Sequence, residues 1–315
     1  MTDDTMREPG PGYAVLGRLI IDDLVLADGA EVPGLLGGAG FYAALGAATA
    51  GERPAGLISG IGRDLGRADL DRLDAWGIVT TALRVEGERT PRSRVVYRAD
   101  GERSEIPLLG LDHFASMAPR IADIPADWGS LRGLYLFAGV DPRDWDGVIA
   151  HARAAGCPVL WEISADVCDP DHFHQVSVLL REVDIFSVNL TEARGLCGVE
   201  QPADCAAMLA EAGAARVSLR MGAAGTILCD GGELTHVGVA PSGPVVDPTG
   251  AGNSHSGALL AAFVDTGDLV LAARRAAAAA SLVIEQYGPP AAHGPARAEL
   301  LEQRTALTPV THHAI

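Results

Sequence analysis

Apolar residues recur along this chain in two patterns: short, nearly continuous runs, and longer stretches with apolar positions three or four apart. The runs read as strands buried on both faces of a sheet, the spaced stretches as amphipathic helices. Tyr13-Ala-Val-Leu-Gly17 followed by Leu19-Ile-Ile-Asp22 predicts a first buried strand ending in a polar loop at Asp22. Phe41 to Ala50 predicts a small-residue helix entered through Gly37-Gly-Ala-Gly40. Leu57 to Gly62 predicts a second buried strand, and Asp69 to Trp76 a helix with Leu70, Leu73 and Trp76 on one face. Further on, strands are expected at Gly133–Ala138, Pro158–Ile163, Ile185–Asn189, Arg216–Arg220 and Thr226–Cys229. Helices are expected over Pro142–Ala155, Ala203–Ala212 and around the run Ala276–Ala280.

Between these blocks the pattern changes. Ser93-Arg-Val-Val-Tyr-Arg98, a turn at Ala99-Asp-Gly-Glu102, and Arg103-Ser-Glu-Ile-Pro107 read as a hairpin too polar for a central parallel sheet. The sum predicts one doubly wound α/β domain over 12–292, a mostly parallel sheet flanked by helices, with a small β lid at about 90–108 and loose ends at 1–11 and 305–315. Ligands of such sheets lie at the carboxyl ends of the strands, where the hairpin can cover them.

Composition narrows the function. With 48% hydrophobic, 21% charged and 5% aromatic residues, the 315-residue chain has the make-up of an ordinary globular protein. Lys plus Arg number 24 against 41 Asp plus Glu, a formal charge of -17, so the average surface repels a nucleic-acid backbone. A small anion can still bind at a helix start, whatever the net charge. Five cysteines with no C-x-x-C pair argue against a disulfide framework or zinc site and fit a reducing cytoplasm. The polar N-terminus lacks an apolar signal core, and no long uncharged apolar stretch predicts a membrane span.

The segment richest in chemistry is Val245-Val-Asp247-Pro-Thr-Gly250-Ala-Gly252-Asn253, read as a strand end that runs through a glycine turn into an apolar helix extending to Phe263. Free N–H groups at such a helix start converge into a cradle for a phosphate. A glycine-rich turn with no ligand gives the same local pattern.

Asp247 to Asn253 resembles the C-terminal signature of the PfkB, or ribokinase-like, family of carbohydrate and nucleoside kinases, Asp-Thr-Thr-Gly-Ala-Gly-Asp. Other elements of that family's pattern occur in order from about Tyr13 to Pro290. Gly37-Gly-Ala-Gly40 is similar to its N-terminal Gly-Gly signature, and Ser59-Gly-Ile-Gly-Arg-Asp-Leu-Gly66 to its Gly-x-x-Gly-x-Asp-x-x-Gly segment. Asn189-Leu-Thr-Glu192 matches its Asn-x-x-Glu element, and Leu219-Arg-Met-Gly222-Ala-Ala-Gly225 resembles the strand-turn segment that borders the nucleotide. The resemblance implies a ribokinase-like fold with ATP and Mg2+ as cofactors, and leaves a monovalent cation open. It implies that Asp22, Gly37 and Gly38 hold the acceptor and that Asn189 and Glu192 order magnesium, with Glu192 the metal-side carboxylate. Arg220, Gly222 and Gly225 would border ATP, and the amides of Gly250, Ala251 and Gly252, beside Asp247, would stabilise the transferring phosphate. A homodimer paired through the lid is also implied.

Two positions depart from the family. Where its members keep a catalytic aspartate this chain has Asn253, and an amide cannot act as a general base. Losing base catalysis costs about 10²- to 10⁴-fold. The base could be replaced by His255 or Asp22, or made needless by an acceptor that arrives ionised; the chain could bind ligand without turning it over; or the asparagine could be an introduced change. His255, two residues further along a helix, is expected on the helix surface, roughly 200° from Asn253. The second departure is Tyr42, where the family's sugar kinases carry an asparagine; it could stack on a ring-shaped acceptor, narrow the pocket, or simply pack at a helix start. Glu162, at a strand end on the ligand face, could reach magnesium through water or be merely exposed. His172, His174 and His236 show no metal-binding spacing.

The expected activity is therefore ATP- and Mg2+-dependent phosphoryl transfer to a small hydroxylated acceptor, a sugar or nucleoside, slowed or altered by Asn253, which would orient the acceptor hydroxyl. The alternatives are a non-catalytic nucleotide- or sugar-binding protein of this fold and a non-kinase ATP user whose acceptor needs no deprotonation.

Overall fold

The computed structural model describes residues 10–98, 103–291 and 294–313. In chain order the strands are β1 (Tyr13–Leu16), β2 (Ile20–Val25), β3 (Glu31–Gly37), β4 (Ala55–Ile61), β5 (Ile78–Val79), β6 (Leu83–Val85), β7 (Arg92–Tyr97), β8 (Arg103–Pro107), β9 (Gly133–Ala138), β10 (Val159–Ile163), β11 (Ile185–Asn189), β12 (Arg216–Arg220), β13 (Thr226–Asp230), β14 (Glu233–Val237) and β15 (Val310–His313). The α-helices are α1 (Ala39–Ala50), α2 (Arg67–Ala75), α3 (Leu111–Ser116), α4 (Pro142–Trp145), α5 (Val148–Ala155), α6 (Phe173–Leu180), α7 (Leu190–Cys197), α8 (Pro202–Ala212), α9 (Ala251–Thr266), α10 (Leu269–Val283) and α11 (Pro295–Leu307).

The large sheet runs β15-β14-β13-β12-β11-β10-β9-β1-β4-β5, with β6 also on β4. It is parallel from β12 to β5 and antiparallel from β13 outward to β15. Alternate strand residues feed two cores: Val15, Leu57, Tyr135 and Leu160 pack toward α1, α9 and α10, while Leu136, Trp161, Phe186 and Val188 pack toward α5, α6 and α8. Burial on both faces explains why β4 and β9 to β12 are near-continuous apolar runs. α1 and α9 touch almost backbone to backbone, since a Cβ on Gly46 would lie 2.0 Å from the Ser254 carbonyl oxygen and one on Gly257 2.0 Å from that of Ala43.

Several expectations need correction. Residues 90–108 are only half of the lid: a second sheet, ordered β3-β2-β7-β8, combines 20–37 with the expected hairpin, whose turn 99–102 lies outside the described residues. Asp22 therefore sits within a lid strand and not at the end of the first core strand, because the chain leaves the large sheet at Gly17, where it crosses α1; a Cβ on Gly17 would lie 2.6 Å from Gly40 Cα. β2 alternates buried and half-buried positions, the signature of a sheet with one covered face, yet its residues Ile-Ile-Asp-Asp-Leu-Val do not alternate in type. The expected helix Pro142–Ala155 is broken at Gly147, whose φ of 72° is left-handed. Val245 to Asp247 is not a strand end: the amides of Val246 and Asp247 both donate to the Ile284 carbonyl just past α10, at 2.7 and 3.1 Å. The tail expected to be loose from 305 instead completes α11 and adds β15 to the sheet edge; residues 1–9, 314 and 315 lie outside the described set.

Candidate active site

A cleft of about 900 Å³ opens between the carboxyl ends of the parallel strands and the lid sheet. Its floor is the start of α9. Gly250 caps the helix with φ 77°, and a Cβ there would lie 2.2 Å from the ring of Tyr42, so both backbone and space demand glycine. Tyr42, only 3% exposed, packs its ring under the Gly250 turn and also contributes to the lining of the cleft. Gly250, Ala251, Gly252 and Asn253 all line the cleft, but the Ala251 amide, expected in the anion cradle, donates back to the Pro248 carbonyl at 3.2 Å, so the donors left at the start of α9 are the amides of Gly252 and Asn253.

Asp247, just upstream, is buried, and its Oδ1 accepts from the Thr249 amide at 2.9 Å and from the Tyr97 hydroxyl at 2.8 Å. Tyr97 belongs to lid strand β7 and also meets Thr249 Oγ1 at 2.7 Å, so the lid is fastened to the glycine turn. Its ring packs edge-on to Tyr287, with centroids 6.1 Å apart.

Asn253 is held by Glu162. Its Nδ2 donates to Glu162 Oε1 at 3.0 Å, and the same oxygen accepts from Arg220 Nη2 at 2.7 Å, while Oε2 accepts from the Tyr135 hydroxyl at 2.7 Å. Glu162 is only 3% exposed, so it is a buried hub and not the exposed strand-end carboxylate considered above. Full burial, then the adjacent Glu162 charge, drives the Tyr135 hydroxyl well above its ordinary range, which keeps it a neutral donor. Arg220 lies directly on the turn: a Cβ on Gly252 would be 2.1 Å from its Nη1.

The Asn189 and Glu192 pair is first of all a helix cap. Asn189 Oδ1 accepts from the Glu192 amide and Glu192 Oε2 from the Asn189 amide, each at 2.9 Å, a reciprocal capping box at the start of α7. Burial raises the Glu192 carboxyl above its usual value, against the pull of the Asn189 amide and Arg220. Both residues line the cleft. Gly222 and Gly225, with φ 58° and 85°, form the turn from β12 to β13 beside them, braced by His236 Nε2 donating to the Ala224 carbonyl at 2.7 Å. Among the described residues no group of three or more His, Cys, Asp or Glu side chains forms a ready metal cage. Magnesium in such a site would come chiefly on nucleotide phosphates, with one or two carboxylates assisting.

At the other end of the cleft, Asp22 is buried against Gly37, where a Cβ would lie 1.9 Å from its Oδ2, and Gly38 turns the chain into α1 with φ 95°. The residues expected to hold an acceptor therefore do converge. His255 contradicts the expectation of a surface position: it is 6% exposed, because α9 is enclosed by the sheet, α1 and α10, and its Nε2 lies 3.4 Å from Thr226 Oγ1. Burial pushes it down to about 3, which leaves it neutral and a weak base at pH 7. Two residues, one beside the cleft and one in its lining, escaped the sequence reading altogether. Tyr97 looks like any lid residue until the fold brings it to Asp247. Arg18, after β1, stacks over Phe114 at 4.7 Å and donates from Nε to the Phe114 carbonyl at 3.0 Å.

Comparison with known proteins agrees with this geometry. The model of the pfkB family carbohydrate kinases matches residues 23–293. A cytidine kinase of Thermococcus kodakarensis is 26% identical over 256 residues, which span 79% of this chain and 87% of the relative. The adenosine kinase of Sinorhizobium meliloti superposes with a TM-score of 0.76 at 23% identity, covering 93% of this chain and 99% of that one. A ribokinase II of E. coli in complex with ATP and Mg2+ also superposes at 0.76, with 20% identity and the same coverage. With a family match over most of its length and the glycine turn of α9 at the floor of its cleft, the chain belongs to the pfkB family of carbohydrate kinases, which makes it a kinase-type phosphotransferase.

Proposed function

We propose that the chain transfers the terminal phosphoryl group of ATP, with Mg2+, to a hydroxyl of a small acceptor, a sugar or nucleoside. The observation that carries this reading is the Gly250 turn, whose amides open onto a cleft that Asp22 and Gly38 line at the acceptor end and Gly222 and Gly225 at the nucleotide end. Donors fixed where negative charge develops are the largest single contribution to this kind of catalysis. Mg2+ bound with the nucleotide would supply charge neutralisation between the phosphates; Glu192 on α7, with one carboxylate oxygen outside the capping bond, and Asn189 at the end of β11 would hold it.

Asn253 takes an orienting role. Glu162 accepts only, so the Asn253 amide nitrogen must face it, and Oδ1 is left to accept from the acceptor hydroxyl. His255 does not take the place of the missing aspartate: it is buried with its Nε2 3.4 Å from the Thr226 hydroxyl, about 200° around α9 from Asn253. The acceptor's proton then leaves through a phosphoryl oxygen to water, and turnover is slower by the base-catalysis factor of about 10²- to 10⁴-fold.

One observation favours a second reading. Asn253, Glu162, Arg220 and Tyr135 bind one another without any ligand, as they would in a binding protein that has given up catalysis. Titrating MgATP in a calorimeter tests what the two readings share: binding is expected at micromolar to millimolar affinity and is lost in Gly252→Leu, and no binding by the unaltered chain would remove the nucleotide site. Binding without phosphorylated product from any sugar or nucleoside would favour the second reading. Ile106, Leu108, Leu109 and Leu111, all exposed on and after β8, support a lid-paired homodimer; a monomeric mass by light scattering at micromolar concentration would remove it.

A further inference from the structure

We infer that Arg220 is the resident cation of the phosphoryl site, a catalytic residue whose guanidinium binds the transferred phosphate directly and carries charge that the metal ion would otherwise have to neutralise. The inference rests on the phosphoryl-transfer reading of the cleft and goes beyond its place beside the nucleotide.

The placement of the side chain makes the case. β12 ends at Arg220, and its guanidinium lies against the first turn of α9, so close that Gly252 has no room for a Cβ at 2.1 Å from Nη1. A helix start carries roughly half a positive charge, and a cation set there is opposed unless an anion joins it. Glu162 supplies one carboxylate at 2.7 Å, but that carboxylate is divided among Arg220, Asn253 and Tyr135. Arg220 Nε is buried and has no hydrogen-bond partner among the described residues, and the side chain is only 11% exposed. A desolvated cation with an unmet donor is costly, and a phosphate oxygen at the turn supplies the acceptor it lacks.

The charges around it point the same way. His255, on the next turn of α9, is neutral and its Nδ1 is also buried without a partner among the described residues. Asn253 is neutral as well. An aspartate at 253 would pair Arg220 from a second side and consume its charge; asparagine leaves that charge for the ligand.

In the reaction, the bond from the γ-phosphorus to the β–γ bridging oxygen breaks and leaves ADP, while the acceptor oxygen bonds to that phosphorus. The acceptor proton leaves through a phosphoryl oxygen to water, so that ATP and ROH give ADP, the phosphate monoester of ROH and H+. Arg220 forks onto the phosphoryl oxygens throughout and changes neither charge nor bonding. An arginine supplied in cis at such a site is worth about 10³- to 10⁵-fold in rate.

The test is calorimetric binding of ATP to the full chain, with Mg2+ and again in EDTA. The unaltered chain is expected to bind metal-free ATP within about tenfold of MgATP, since a charge-assisted fork replaces much of what the metal gives. Arg220→Gln should weaken metal-free ATP by about 100-fold and MgATP far less, with Arg220→Lys between them because an ammonium cannot fork. Arg220→Gln leaves Glu162 buried without its cation and could unfold the chain, so Glu162→Gln provides the opposite arm: it frees Arg220 and should tighten metal-free ATP. Metal-free affinity that is equal in the unaltered chain, Arg220→Gln and Glu162→Gln, with MgATP still bound, overturns the inference alone. Failure of the unaltered chain to bind MgATP overturns the phosphoryl-transfer reading and this inference with it.

Discussion

Restoring the family's aspartate in a single step, by Asn253→Asp, should not restore a fast kinase. The Asn253 amide lies 3.0 Å from Glu162 Oε1, and an aspartate of the same shape would set a second carboxylate against the first in a buried pocket. Two like charges about 4 Å apart repel by about 4 kcal/mol at an effective dielectric near 20. Arg220, already engaged with Glu162 at 2.7 Å, offsets part of this, and what remains of the repulsion, with burial, favours the protonated form of the introduced carboxyl. The introduced group is then ionised, and able to act as a base, in a smaller share of molecules at neutral pH than an unhindered aspartate would be. Glu162→Gln combined with Asn253→Asp removes the repulsion and lets Arg220 pair the new carboxylate. The double variant should gain about 10²- to 10⁴-fold in ADP formation at pH 7. The single variant should gain less than the double variant at pH 7 and close the difference as the pH rises toward 9. ADP release, coupled to an indicator enzyme and followed across that range with an acceptor panel, measures both. Full gain from Asn253→Asp alone at pH 7, with nothing added by Glu162→Gln, would refute the argument.

Other outcomes follow from single contacts. Tyr97→Phe removes the lid's bonds to Asp247 and Thr249, each worth about 1 kcal/mol, so the acceptor KM should rise several-fold while kcat moves less; steady-state kinetics showing the reverse split would place Tyr97 in the transition state instead. Gly257→Ala drives a methyl group into the Ala43 carbonyl and should cost about 1 to 3 kcal/mol in urea unfolding. His255 stays neutral in the folded chain down to about pH 3, whereas the unfolded chain takes up its proton below about 6.5. Its contribution to stability is therefore intact above pH 6.5 and lost as pH falls from there toward 3, by up to about 1.4 kcal/mol per unit. His255→Gln should flatten that part of the unfolding curve, and an unchanged acid slope would show that other groups set it.

What could be read from the sequence was what is local or doubly buried. β4 and β9 to β12 announce themselves because both faces are covered, and the α9 turn because Gly250 and Gly252 are demanded by backbone and by neighbours within one short segment. The lid's first two strands were missed because Ile20 to Val25 continues the apolar run of β1 and β3 carries Pro33 and Gly34. β15 was missed because Thr311 and His312 are polar residues on an edge strand. The Glu162 hub joins residues 27, 58 and 91 positions away, a convergence that only the fold creates. His255 was misplaced for the same reason: a helix enclosed on every side has no polar face for its histidine to occupy.

The most direct test of the central claim is mass spectrometry of the purified chain incubated with ATP, Mg2+ and a panel of sugars and nucleosides. The expected result is a product that has gained one phosphoryl group, formed together with an equal amount of ADP and absent when Gly252→Leu replaces the unaltered chain. ATP left intact with every acceptor, by a chain that also fails to bind MgATP, would contradict the account.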